Sequence, residues 1–158
     1  MLPDLAVEFA ENLDKFRDPL AKALMGEALA ERHDVVQIAD MYMAGTLDSF
    51  LEQQGHGLAL QGWLGELKEY RGTVIVGDHD LWPYFSRRIG LSVLGYFEPE
   101  PGIPPTTKHL QALIAQMKAQ SVQIILSAPY FDKRHATFVS ENTGAVVLPM
   151  CHQTQARP

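Results

Sequence analysis

A chain of 158 residues with 46% apolar and 20% charged residues has the make-up of one ordinary globular domain, long enough for a proper core. Its formal net charge of −6 argues against a nucleic-acid partner, because no basic stripe offsets phosphates, and it suits an anionic membrane surface poorly. No run approaches the roughly 18 apolar residues that span a bilayer. No signal peptide is expected at Met1-Leu2-Pro3-Asp4, which has neither a basic nor an apolar stretch. Cys151 is the sole cysteine, which excludes an internal disulfide and leaves the redox compartment open.

Residues 4–54 read as helical. Asp18-Pro19 has the form of an N-cap and first-turn pair, followed by Leu20, Ala23, Leu24 and Ala28 at helical spacing. Val35 to Gln54 carries Ile38, Met41, Tyr42 and Leu51 as core positions, with a break or kink at Gly45-Thr46. Gly55-His56-Gly57 ends the helical region, and the segment around Trp63, between Gly62 and Gly65, has no clear assignment.

From Gly72 onward the pattern changes to alternation. Strands are expected at 73–76, 91–97, 122–126 and 145–148, with helices near 80–89 and 106–120 and a third capped by Asp132. Gly90 and Gly144 stand where helix-ending glycines belong. Strand, helix, strand repeated in this way predicts an α/β fold with a four-stranded parallel sheet flanked by helices. The continuous apolar strands agree, because parallel sheets are covered on both faces. The expected division is a helical segment over 1–70 leading into an α/β lobe over 71–158.

The stretch that carries chemistry is Asp78-His79-Asp80, just past the β-branched run Val74-Ile75-Val76 and Gly77. Residues beyond a strand's carboxyl end line the crevice where α/β sheets bind ligands. An imidazole flanked by carboxylates there can hold a metal or move protons. A second reading makes Asp80 the N-cap of the next helix, with Pro83 in its first turn.

With these residues laid out, the chain resembles the C-terminal lobe of a metal-binding solute-binding protein of bacterial zinc/manganese ABC transporters. The resemblance rests first on Val74 to Phe85, where a strand runs into the His79-Asp80 pair and an aromatic-rich helix start, and on Arg88-Ile89-Gly90-Leu91. It continues in Glu98-Pro99-Glu100-Pro101-Gly102, in Ala128-Pro129-Tyr130-Phe131 and in Glu141-Asn142-Thr143-Gly144-Ala145. Asp18-Pro19-Leu20-Ala21-Lys22 is similar to the start of the helices that lead into this lobe. The match covers about 70–158, and several motifs in one order make it more specific than the triplet alone.

The resemblance implies capture of a metal ion for uptake, without catalysis, and delivery to an ABC transporter permease in the periplasm or at the cell surface. It implies that His79 is the metal ligand given by this lobe. The family's carboxylate after the last strand is replaced by Pro149-Met150-Cys151-His152, where His152 could substitute as donor and Cys151 is the alternative, a soft thiolate being unusual for this family. Asp78 or Asp80 is expected to accept from the imidazole N–H of His79, and Glu98 to brace the loop. Histidine donors favour Zn²⁺, with Mn²⁺ the alternative. The family's N-terminal lobe is absent from this sequence, so that lobe or a second chain would complete the site.

His33, His56, His109 and His135 have polar neighbours and are expected at the surface. Two other functions stay open. A strand entering Asp78-x-Asp80 is also how haloacid-dehalogenase-type phosphatases begin, with the first Asp as nucleophile, although Trp82 replaces the usual Thr. The third is an incomplete lobe that folds and holds no ligand tightly.

Overall fold

The computed structural model describes residues 4–54, 59–100 and 102–151, which places His56, Pro101 and His152 outside the described residues. The chain divides into two compact units, Met1–Arg71 and Gly72–Pro158.

The N-terminal unit is helical: α1 (Asp4–Met25), α2 (Glu27–Ala30), α3 (Val35–Ala44), α4 (Leu47–Gln54) and α5 (Gly62–Glu66), then a 3₁₀ turn at Lys68–Tyr70. Local chemistry explains α3 well. The Asp34 carboxylate accepts from the amides of Val36 and Gln37, and Gly45 ends the helix at φ 73°, in the left-handed region. Arg71 then donates to the carbonyls of Tyr42 and Met43 and lies 5.1 Å from the centre of the Tyr42 ring. Gly62, at φ +60°, lets α5 sit against α1. A Cβ there would meet the Ala23 carbonyl at 2.4 Å. Ile38, Tyr42 and Leu51 are buried as expected from their spacing, while Met41 is half-buried.

One expectation is corrected here. Asp18-Pro19 does not begin a helix, because α1 starts at Asp4 and carries Pro19 inside it. The helical run upstream, Leu5 to Arg17, supplies enough preceding turns for Pro19 to be an interior interruption rather than a start. That upstream half exposes Leu5, Val7, Phe9, Leu13 and Phe16.

The C-terminal unit follows the predicted alternation: β1 (Val74–Gly77), α6 (Pro83–Ile89), β2 (Ser92–Tyr96), α7 (Thr107–Ala119), β3 (Ile124–Ser127), α8 (Lys133–Thr143) and β4 (Val146–Pro149). The four strands form one sheet in the order β2-β1-β3-β4, and every pair is parallel. Period two along the strands splits the core between the two faces. Val76 and Ile125 join Phe97, Leu110, Leu113, Met117 and Val139 on one side, under α7 and α8. Ile75 and Leu126 join Trp82, Ala128 and the partly buried Phe85 on the other, under α6.

The helix ends are set by local signals. Thr106 caps α7 through the His109 amide, Asp132 caps α8 through the Arg134 amide, and Gly90 and Gly144 close α6 and α8 with positive φ. Pro83 occupies the first turn of α6, as expected. Asp80 does not cap that helix. Its N-cap is Trp82, with no side-chain cap bond, because the chain takes two further residues past Asp80 before turning helical.

Candidate metal centre

The order β2-β1-β3-β4 means that the chain leaves β1 toward one side and returns to β3 on the other. Crossovers that diverge from neighbouring strands open a crevice at their carboxyl ends, the usual ligand position in such sheets. Asp78 and its neighbours sit at that point, and three strand ends meet on Asp78. Its amide donates to the Leu126 carbonyl (3.2 Å), its carbonyl accepts from the Glu98 amide (2.8 Å), and its carboxylate accepts from the Ala128 amide (2.6 Å).

The Asp78 side chain is only 2% exposed, so it faces inward rather than into the crevice. Burial pushes its carboxyl up to about 6, against the opposing effects of the Ala128 amide and the Ser127 hydroxyl. It is a brace at the switch point.

His79 is half-buried. Its Nδ1 lies 2.6 Å from the main-chain carbonyl of Glu98. A carbonyl only accepts, so Nδ1 carries the hydrogen, and in the neutral ring Nε2 keeps its lone pair. Metal-ligating histidines are held in this manner through the nitrogen that does not bind the ion. The expected acceptor, Asp78 or Asp80, is replaced by that Glu98 carbonyl. The two aspartates are occupied elsewhere, and Glu98 contributes to the arrangement through its main chain.

Asp80 is exposed and accepts a hydrogen bond from the Tyr96 hydroxyl at 2.7 Å. Tyr96 is pushed up to about 12, by burial first and then by the Asp80 hydrogen bond and charge. Its ring centre lies 6.5 Å from that of His79. His109, placed at the surface by its neighbours in sequence, is half-buried with Nε2 2.8 Å from the Tyr96 carbonyl. His33 and His135 are also half-buried, and His33 meets Phe50 edge-on at 5.3 Å. Sequence spacing missed Tyr96 because a tyrosine within a strand reads as packing.

At the far strand, the Met150 amide donates to the Ser127 carbonyl, so Cys151 follows at the same carboxyl edge, half-buried. β4 is two strands from β1, or about 10 Å across the sheet. Any donor beyond Pro149 must therefore reach back over β3 to share an ion with His79. Among the described residues no group of three or more His, Cys, Asp or Glu is arranged to hold a metal, and His152 lies outside them.

Residues 59–156 match the family model described as ZnuA, the periplasmic component A of a zinc-uptake complex. The chain belongs to this zinc-uptake component A family. The high-affinity zinc uptake system protein ZnuA of Haemophilus ducreyi is 33% identical over 69 residues, 44% of this chain and 22% of that protein. Among solved structures, a mutant of the laminin-binding adhesin Lmb of Streptococcus agalactiae superposes with a TM-score of 0.51. It is 20% identical over 79% of this chain and 39% of its own. The solute-binding protein FpvC of Pseudomonas aeruginosa, in complex with Ni²⁺, gives 0.50 and 21% identity over 79% of this chain and 38% of its own. At these identities the likeness of both to this chain is one of fold. The chain thus spans about a fifth of the zinc-uptake relative and about two-fifths of the solved structures.

Proposed function

We propose that the C-terminal unit captures a divalent metal ion through Nε2 of His79 and serves its uptake through an ABC transporter permease, making and breaking no covalent bond. Zn²⁺ is the preferred cargo and Mn²⁺ the second, because a neutral imidazole suits zinc better than the more oxygen-loving manganese. The observation that carries this reading is the tie between Nδ1 and the Glu98 carbonyl at the switch point, which leaves one directed lone pair at the crevice. Membership of a zinc-uptake family supports it. The periplasm is the compartment in which this function belongs.

A zinc site takes about four donors, or three and water. His79 supplies one, and His152 is the proposed second, from the chain that follows β4. We propose that a further lobe, of the same protein or of a second chain, provides the rest. The ion therefore stays largely hydrated on this chain alone, and binding is orders of magnitude weaker than at a closed site.

Isothermal titration with Zn²⁺ on the chain, His79→Ala and His152→Ala tests the assignment. The first variant should lose most of the binding, and the second should lose less. Tight stoichiometric binding that survives His79→Ala would place the site elsewhere.

A further inference from the structure

Beyond Gly77 the chain leaves the sheet, and the residue meant to meet the ion sits on the connection to α6. The stretch from Asp78 to Trp82 contains a tight local bend, with the Leu81 amide donating to the His79 carbonyl at 2.7 Å. Such a bend fixes the loop's internal shape and says nothing of its direction relative to the sheet. Direction comes from the ties of Asp78 to the neighbouring strand ends and, beyond it, from two ties on the β2 side. One is the His79 ring on the Glu98 carbonyl, and another is the Tyr96 hydroxyl on Asp80.

Tyr96 reaches Asp80 because of two features of the sheet. The β1–β2 register shifts between Ile75 and Val76, so that Gly77 pairs with Tyr96 rather than with Gly95. The ring then lies against Gly77: a Cβ there would be in ordinary contact with it, 3.4 Å from Cδ1 and 3.6 Å from Cε1 of Tyr96. The ring runs along the end of β1, and its hydroxyl meets the carboxylate next to His79. At its other end Tyr96 is held through its carbonyl by Nε2 of His109, on α7.

We propose that Tyr96 is a positioning residue for metal capture: its hydrogen bond to Asp80 holds the 78–82 loop so that His79 keeps Nδ1 on the Glu98 carbonyl and presents Nε2 to the ion. The inference rests on His79 being the metal donor. In this arrangement Asp80 is engaged by the clamp and is not itself a ligand. Without the clamp, the imidazole samples other rotamers and the other tautomer, and the ion must pay the ordering entropy on binding.

The test uses the full chain with Zn²⁺ alone as the probe. Tyr96→Phe keeps the ring and removes the hydroxyl, and Asp80→Ala removes the acceptor at an exposed position where folding is not at risk. Each should weaken zinc binding about 10-fold, the low end for residues that orient a ligand. The double variant should be no weaker than either single one, because both remove the same interaction.

Nitrogen-15 spectra of the imidazole in the metal-free protein supply a readout that lost stability alone would not move. Wild type should show His79 as a single tautomer protonated on Nδ1, and both variants should show exchange between tautomers. Unchanged His79 spectra in both variants would overturn the clamp, as would wild-type zinc affinity in both while His79→Ala abolishes binding. Zinc affinity unaffected by His79→Ala would instead sink the metal site, and the spectra would still decide the clamp.

Discussion

The two units differ in where they leave apolar side chains uncovered: mainly along one helix in the first, at the sheet edge and in loops and helix surfaces in the second. In the C-terminal unit the inner strands β1 and β3 are packed on both faces, and Phe97, Ile125 and Val139 are 1%, 0% and 0% exposed, while the edge strand β4 leaves Val146 and Leu148 exposed. In the N-terminal unit Met25, Leu29, Ile38 and Leu64 are fully buried, yet the first half of α1 leaves Phe9 67% and Phe16 65% exposed. A helix whose apolar residues stay in water is held by propensity and i, i+4 contacts, each worth only tenths of a kcal/mol. A sheet strand buried on two faces is held by transfer free energy, about 2 kcal/mol for each large side chain. Order is therefore local and weak along the first half of α1, whereas around the inner strands of the second unit it is collective. The proposed donor His79 belongs to the second, and a donor that must be aimed closely calls for such a rigid support.

That contrast is sharpest for two phenylalanines. Phe97→Ala empties a site in the core beside the last residue of β2 and should cost about 3–5 kcal/mol. Phe9→Ala removes the same atoms from an exposed helix face and should stay within about 0.5 kcal/mol. Urea unfolding of both variants checks this, and a cost at Phe9 comparable to that at Phe97 would mean that α1 is covered in solution.

A second effect, smaller and opposite in sign, belongs to α1. Pro19 removes a donor from the helix interior and leaves the Lys15 carbonyl without its partner four residues on. Pro19→Ala should add up to about 3 kcal/mol to helix formation and raise the far-ultraviolet helical signal. A loss of helicity would show that α1 is in truth two helices meeting at Asp18, as the Asp-Pro pair suggests on its own.

The smallest predicted effect is a pH slope in the C-terminal unit. Asp78 is raised to about 6 by burial, so the folded protein holds this proton more tightly than the unfolded chain does. Between about pH 6 and the ordinary aspartate value near 4, the folded state binds more protons, so stability rises as pH falls through that window. The contribution is complete below about 4 and lost above about 6. Asp132, held at about 2 chiefly by Arg134, acts in the opposite sense but only at lower pH. Chelator-treated protein unfolded in denaturant at pH 7 and pH 4.5 should show the gain, and Asp78→Asn should flatten it while retaining an acceptor for Ala128. A wild-type slope that persists in Asp78→Asn would assign it to another group.

Much of the architecture was legible from residue types alone, because the signals that start and stop its elements act over three or four residues. Thr106 and Asp132 cap α7 and α8, Gly90 and Gly144 end α6 and α8, and the β-branched runs became β1 to β4 within a residue or two. Asp34 and Gly45 bounded α3 in the same local way. Pro19 and Asp80 are exceptions: a local breaker was overridden by the helical turns before it, and a capping residue fell two positions short of the helix it was expected to start.

What only the tertiary structure decided concerns partners far apart in sequence. The order β2-β1-β3-β4 turns the end of β1 into a switch point, and no stretch of the chain records that order. The carboxylate of Asp78, a candidate second partner for His79 when read in isolation, is buried because Ala128, fifty positions on, brings an amide to it. The Glu98 carbonyl that selects the His79 tautomer is a main-chain atom, which side-chain identity cannot reveal. Tyr96 faces Asp80 because one register step in the sheet sets it beside Gly77, and register is fixed by how whole strands pack rather than by either residue.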